Sequence, residues 1–270
     1  MKKVREVCAY SLFSSSKGNC TYVKSGKDEI LIDAGASARA IETSLNALGT
    51  SLANIRAIFI THEHTDHIKG LDVISRRFGK PIYAPRKSGE YIAANTLSTS
   101  DFLVENDAGA VVEFDEMSIA AYELPHDSLS GVCFRVTLNG TELGYATDVG
   151  HLNDGVKTAL IGCKNVFIES NHDVDMLING VYAPPLKRRV LGNYGHLSNK
   201  TASEYITYLA QNGAENFVLA HLSAENNRPA IAFAESKGAL NGAKISVSRE
   251  FGESDVRLEV ASPCEIIKVI

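Results

Sequence analysis

The stretch from Phe59 to Gly70, FITHEHTDHIKG, packs three histidines and an aspartate into the six positions His62 to His67, directly after an apolar run. Ordinary turns are built from Gly, Pro, Asn, Asp and Ser and need no imidazole. The chain has 8 histidines among 270 residues, so chance assembly of an H-x-H-x-D-H pattern is a poor explanation, and a solvated polar loop is the weaker reading of it. AIFIT, just upstream, reads as a buried strand. Ile68, Leu71, Ile74 and Phe78 then recur at helical spacing until Gly79 and Pro81, which places the cluster at a strand-to-helix junction. His62 and His64, two apart on extended chain, can converge on one cation, while Asp66 and His67 at the helix start can face a second. Imidazole and carboxylate without thiolate suit Zn²⁺, Mn²⁺ or Fe.

Outward from the cluster, the first third reads as strands: VREVCAYSLF, CTYVKS and EILIDAG, with Gly26 and Lys27 turning between the last two. A helix follows, capped by Ser37, with Ile41, Leu45 and Leu48 on one face and Gly49 past its end. The middle returns to strands, AVVEF, MSIAAYELPH, GVCFRVTL and ELGYATDVG, and Asn139-Gly140 joins the last two as a hairpin. Beyond them come a helix near DGVKTALIG, a strand NVFIES, and a helix opening at Ser198 with Ala202, Tyr205, Ile206 and Leu209 on one face. A strand NFVLAH, a helix around PAIAFAESKGAL, and strands KISVS, VRLEV and EIIKVI complete the chain. Such mixing without strict alternation suits two sheets with helices packed outside them, in one domain over residues 1–270.

Composition bounds the function. With 44% hydrophobic and 22% charged residues the chain is ordinary for a soluble protein. No apolar run approaches the length of a membrane span, and the opening MKKVREVCAYSLF is too interrupted by charge for a signal peptide, so the expectation is a cytoplasmic protein. Five cysteines without a CxxC pair suggest neither a disulfide framework nor a thiolate metal site. A net charge of −5 argues against coating nucleic acid by bulk electrostatics and leaves room for a local basic groove.

The H-x-H-x-D-H cluster, with Asp33 in LIDAG, His126 in ELPHD, Asp148 in YATDVG and His221 in LAHLS following in order, resembles the metallo-β-lactamase fold superfamily over nearly the whole chain. Taken alone, Asp33 and Asp148 are compatible with simple turns, and His126 and His221 with surface or satisfied core histidines. The resemblance implies an α+β fold, the four-layer αββα sandwich shared by metallo-β-lactamases and ribonuclease Z. It implies a first cation held by His62, His64 and His126, and a second by Asp66, His67 and His221. Asp148 would bridge the two, with Asp33 orienting a ligand histidine. A histidine at position 64 and an aspartate at 148 set the chain apart from the family's redox di-iron members and from secreted lactamases.

A further histidine, His196 in GNYGHLSNKTASEYI, lies 25 residues before His221 and resembles the phosphodiesterase branch, where such a residue assists the leaving group. Helix capping is the alternative for His196 on the residues alone. FSSSKGNCTYV, ESNHDVDML and GHLSNKTASEY together resemble the bacterial YycJ/WalJ group, to which 5′-3′ DNA exonuclease activity is ascribed. The 48 positions from Asp148 to His196 leave no room for an inserted β-CASP domain. The expected enzyme is therefore a metal-dependent phosphodiester hydrolase acting on nucleic acid, DNA above all, through water activated between two divalent ions, with Asp66 and His196 as catalytic groups. A small-molecule hydrolase of a cyclic phosphodiester or thioester is the alternative, and a non-catalytic metal-binding regulator the weaker third. Candidate substrate contacts are Ser15, Ser16, Lys17 and Asn19 in the Gly18 loop, Asn171 and His172 after NVFIES, and the run Lys187, Arg188 and Arg189. A polar hairpin, a surface turn and solvated charges are their respective alternatives.

Overall fold

The computed structural model describes residues 6–270, so Val4 and Arg5 of the expected first strand lie outside the described residues. One sheet is seven-stranded and contains β1 (Val7–Ser15), β2 (Gly18–Ser25), β3 (Asp28–Ile32), β4 (Ala57–Phe59), β5 (Ile82–Ala84) and β6 (Leu103–Glu105). The other is eight-stranded, from β7 (Val111–Glu113) through β8 (Met117–Glu123), β9 (Val132–Leu138), β10 (Thr141–Ala146), β11 (Asn165–Glu169) and β12 (Asn216–Ala220) to β13 (Val247–Ser248) and β14 (Val256–Val260). The last strand, β15 (Ile267–Lys268), returns to pair with β1 at the edge of the first sheet.

Three apolar clusters define four layers. Ala9, Val23, Ile32 and Phe59 of the first sheet meet Ile119, Phe134, Tyr145 and Phe167 of the second in the central core. Leu31 and Ile58, on the outer face of the first sheet, pack beneath α1 (Ala38–Ala47) and α3 (Leu71–Phe78) through Ile41, Leu45 and Ile74. Val166 and Leu219 of the second sheet pack under α5 (Asp154–Leu160), α8 (Asn199–Gln211) and α9 (Pro229–Gly242). The arrangement is the expected αββα sandwich.

Local chemistry accounts for the elements. Ser37 caps α1 by accepting from Ala40 N at 3.2 Å, Asn153 caps α5 from Val156 N at 2.9 Å, and Ser198 caps α8 from Thr201 N at 3.1 Å. Asn139 and Gly140, at φ 40° and 94°, make the tight hairpin between β9 and β10. NVFIE and NFVLA are buried at every position because β11 and β12 are central strands with packed layers on both faces.

The helix expected after the histidine cluster is broken into α2 (Thr65–Ile68) and α3. Gly70 N donates to Ala34 O at 2.8 Å, and a Cβ at Gly70 would stand 2.6 Å from Ala36 O, so the chain presses against the loop after β3. That contact, unavailable to helical periodicity, decides the break. Four helices and strands escaped the periodic reading: β5, β6, α4 (Arg86–Asn95) and α6 (Val174–Asn179). PPLKRRV, read as a basic run, is itself a short helix, α7 (Pro184–Val190), with proline in its first turn. Among the described residues no helix is long and apolar enough to cross a membrane.

Candidate metal centre

Parallel pairing of β3 with β4, and of β10 with β11 and β12, brings the carboxyl ends of five strands to one rim of the sandwich. Open α/β sheets bind ligands at such ends. Asp33 follows β3, the histidine cluster follows β4, Asp148 follows β10, Glu169 ends β11, and His221 follows β12. Asp33, Asp148 and His221 have φ of 60°, 58° and 53°, left-handed backbone at the step where each chain leaves its strand. For non-glycine residues this costs about 1–2 kcal/mol each, and it turns three functional side chains inward.

The side chains converge. His62, His64 and His126 have ring centroids 4.5, 4.9 and 5.0 Å apart pairwise. Ligand-type atoms of His62, His64 and His126 all lie within 4.8 Å of one another, as do those of Asp66, His67 and His221, and those of His62, His67 and Asp148. Asp148 thus stands between two triads, with Oδ2 3.1 Å from His67 Nε2 and Oδ1 3.7 Å from His126 Nε2 and 3.4 Å from His221 Nδ1.

The supporting hydrogen bonds fix which atom of each ring faces the cluster. Asp33 Oδ2 lies 2.8 Å from His67 Nδ1, and its carboxylate accepts from Thr61 N and Thr61 Oγ1, leaving His67 Nε2 to face Asp148. Asn19 sets its amide 3.3 Å from Asp66 Oδ2 and 3.0 Å from His67 Nε2, tying the β1–β2 hairpin to α2. Gly35 allows the same closure, since a Cβ there would fall 1.6 Å from Asp66 O. Ser14 Oγ accepts from His221 N at 2.8 Å, joining the two sheets at the rim.

Glu169 escaped the sequence reading. It is fully buried, and its Oε1 is 2.8 Å from His196 Nδ1 and 2.9 Å from His221 Nδ1. Oε2 accepts from Val149 N and Leu197 N, both at 2.9 Å. Burial alone would raise this carboxyl, but the His196 ring and the bonds from His196 and His221 hold it down to about 2. The signal available was a carboxylate closing an otherwise apolar strand. Thr61, whose hydroxyl contacts Asp33, His62 and His67, carries no signal in the sequence that sets it apart from a strand-end threonine.

The remaining candidates fall in two groups. Ser15 is buried, and its Oγ accepts from Lys17 N within the tight turn, where Ser16 and Lys17 are exposed. Asn171 spends its amide on His221 O at 2.8 Å, bracing a strand end instead of facing outward. His172 is buried beside His196, with no hydrogen bond at either ring nitrogen. Lys187 donates to Ile178 O at 2.7 Å and Arg189 pairs with Asp127, while Arg188 is exposed and has no ion-pair partner among the described residues.

Divalent cations fit these residues. His62 Nε2, Asp148 Oδ2 and His221 Nε2 are buried without a hydrogen-bond partner, all within the cluster. Buried polar groups are seldom left so. Burial opposes charge on His67 and His221, yet Asp33 and Asp148 push His67 well up, and Asp148 with Asp66 and Glu169 raises His221 to about 10. Without cations, protons on imidazoles must balance the carboxylates. Chelation should therefore lower the unfolding midpoint reversibly: a cation at a thousand times its Kd contributes about 4 kcal/mol, or about 8 °C for a chain of this length. Differential scanning fluorimetry with and without EDTA measures it, and an unmoved midpoint would count against the centre.

The sandwich and its rim of histidines and carboxylates define a metallo-hydrolase. Residues 28–222 match the beta-lactamase superfamily domain, and the chain belongs to that family. It is 33% identical over 224 residues to exodeoxyribonuclease YycJ of Bacillus anthracis, covering 82% of this chain and 84% of that one. It is 31% identical over 263 residues to exodeoxyribonuclease WalJ of Streptococcus pneumoniae serotype 2, covering 94% and 96%. The crystal structure of the metallo-beta-lactamase fold protein YhfI from Bacillus subtilis superposes with a TM-score of 0.68 at 14% identity, over 97% of this chain and 100% of that one. The chain is a metal-dependent hydrolase.

Proposed function

We propose that this protein is a 5′-3′ exodeoxyribonuclease, a single-domain phosphodiesterase holding two divalent ions. The observation that carries the reading is the placement of His196, whose ring lies 5.2 Å from His126 and 5.4 Å from His221 and is held at Nδ1 by Glu169. The relatives it matches over most of its length, YycJ and WalJ, are exodeoxyribonucleases, and the polarity follows from the resemblance to that group.

His62, His64 and His126 would hold one ion, Asp66, His67 and His221 the other, with Asp148 between them. When bound, such ions supply Lewis-acid activation of water and charge neutralisation at phosphate. Asp66, held through Oδ2 by Asn19, would accept the proton of the attacking water. His196 donates from Nε2 to the departing oxygen. Glu169 keeps Nδ1 protonated and the ring in register: burial lowers the His196 pKa, but Glu169 and Asp148 together give a net upward shift. Burial of the cluster keeps bulk water away from the reacting phosphate. Arg188 at the exposed edge would meet the nucleic-acid backbone.

A panel of 5′- and 3′-end-labelled DNA and RNA, with a cyclic dinucleotide, incubated with Mn²⁺ or Zn²⁺, tests the reading. The expected first product is a labelled mononucleotide from 5′-labelled DNA. Equal turnover of the cyclic substrate, or label released first from the 3′ end, would overturn it.

A further inference from the structure

A cavity of about 350 Å³, lined in part by His196, opens between the loop after Asp148 and the start of α8. Its walls include Leu152, Val174, Leu191 and Leu197, its polar points are three imidazoles, His151, His172 and His196, and two hydroxyls, and no lysine, arginine or carboxylate lines it. His172 is 1% exposed, and neither ring nitrogen has a hydrogen-bond partner among the described residues.

Polar groups of the adjoining segments are engaged with one another. Ser170 Oγ donates to Asn199 Oδ1 at 2.7 Å, Asn227 Nδ2 donates to Asn171 O at 2.9 Å, and Asn199 N donates to the His172 carbonyl at 2.8 Å. The backbone of His172 is fixed while its ring is left idle beside a cavity. Leaving a buried donor and acceptor unpaired is costly, which a structural role does not explain.

We infer that this cavity is a nucleoside subsite, seating the nucleoside whose oxygen departs, with His172 hydrogen-bonding the base. The assignment of the departing side rests on the phosphodiesterase reading, through the position of His196. The ligand class follows from the walls: apolar faces with a few polar points match a base, while a free phosphate would need cations or a row of donors that the lining lacks. The volume is near the lower end of small-molecule pockets, about 300–1,000 Å³, suiting one nucleoside and not two. Burial holds His172 down to about 4, so the ring offers one donor and one acceptor in either tautomer. That pairing tolerates any base, as an exonuclease must.

Calorimetry on the full, Mn²⁺-loaded protein with thymidine 5′-monophosphate and with 2-deoxyribose 5-phosphate isolates the contribution of the base. The nucleotide should bind at least about tenfold tighter. His172→Leu should erase that advantage and leave the sugar phosphate's affinity unchanged. Should His172→Leu fail to fold, Leu191→Trp, which fills the mouth from a half-exposed position, decides in its place. Equal binding of the two ligands to the unaltered protein, as a merely water-filled void would give, overturns the subsite. So does a nucleotide advantage that survives the variant. Parallel hydrolysis of bis(4-nitrophenyl) phosphate, which carries no base, separates the two readings. A retained nucleotide preference without turnover of either this diester or DNA sinks the phosphodiesterase and upholds the subsite. Turnover without preference sinks the subsite alone.

Discussion

Replacing Asp148 by Asn should lower turnover of 5′-labelled DNA by at least about 10³-fold and reduce the metal bound per chain, with the fold intact. The expected loss exceeds the roughly 10–100-fold that outer partners of a metal site contribute, because this carboxylate stands within reach of both triads. Asn matches Asp in volume and tolerates the left-handed backbone recorded at φ 58°, so the variant keeps the strand end in place. What it loses is one negative charge facing His67, His126 and His221, and an oxygen buried without a hydrogen bond. Atomic emission measures the metal, gel assays the turnover, and circular dichroism the fold. Full metal content with turnover within about tenfold of the unaltered protein would remove Asp148 from the centre.

Why part of this centre is legible in sequence and part is not follows from how each residue is positioned. His62, His64, Asp66 and His67 are contiguous, so local spacing alone brings them near one another. Asp33, Asp148 and His221 reach the rim through the left-handed step that ends each strand, which no local spacing announces. LIDAG and TDVG look like turns in sequence because they are turns. Their place at the rim comes from the parallel registers that align β3 with β4 and β10 with β11 and β12. The strands and the hairpins at Gly26 and Gly140 were readable because alternation and turn chemistry act locally. The short helices α6 and α7 carry too few turns to show a period, and the break at Gly70 answers to a carbonyl thirty-odd positions upstream. Glu169 was hidden for a related reason: inside an apolar strand, nothing local tells a carboxylate that serves two distant histidines from one that merely ends the strand.

Glu169→Gln is therefore the sharper experiment. The carboxylate takes four hydrogen bonds, from His196, His221, Val149 and Leu197, and an amide presents two donors where two backbone N–H groups or two imidazoles already donate. Breaking one side of such a buried network costs about 3–5 kcal/mol, lowering the midpoint by about 6–10 °C. Turnover should fall by about 10²-fold through kcat, with KM little changed, because His196 loses the orientation of its ring and the charge that favours its protonated form. A merely structural role would predict the loss of stability and no more. The double variant Glu169→Gln/His196→Ala separates the two cases: if Glu169 acts through His196, adding the glutamine to His196→Ala should cost turnover only the part that passes through His221, well short of the sum of the single effects. Strictly additive losses would mean that Glu169 braces the strand end and has no hold on the proton donor.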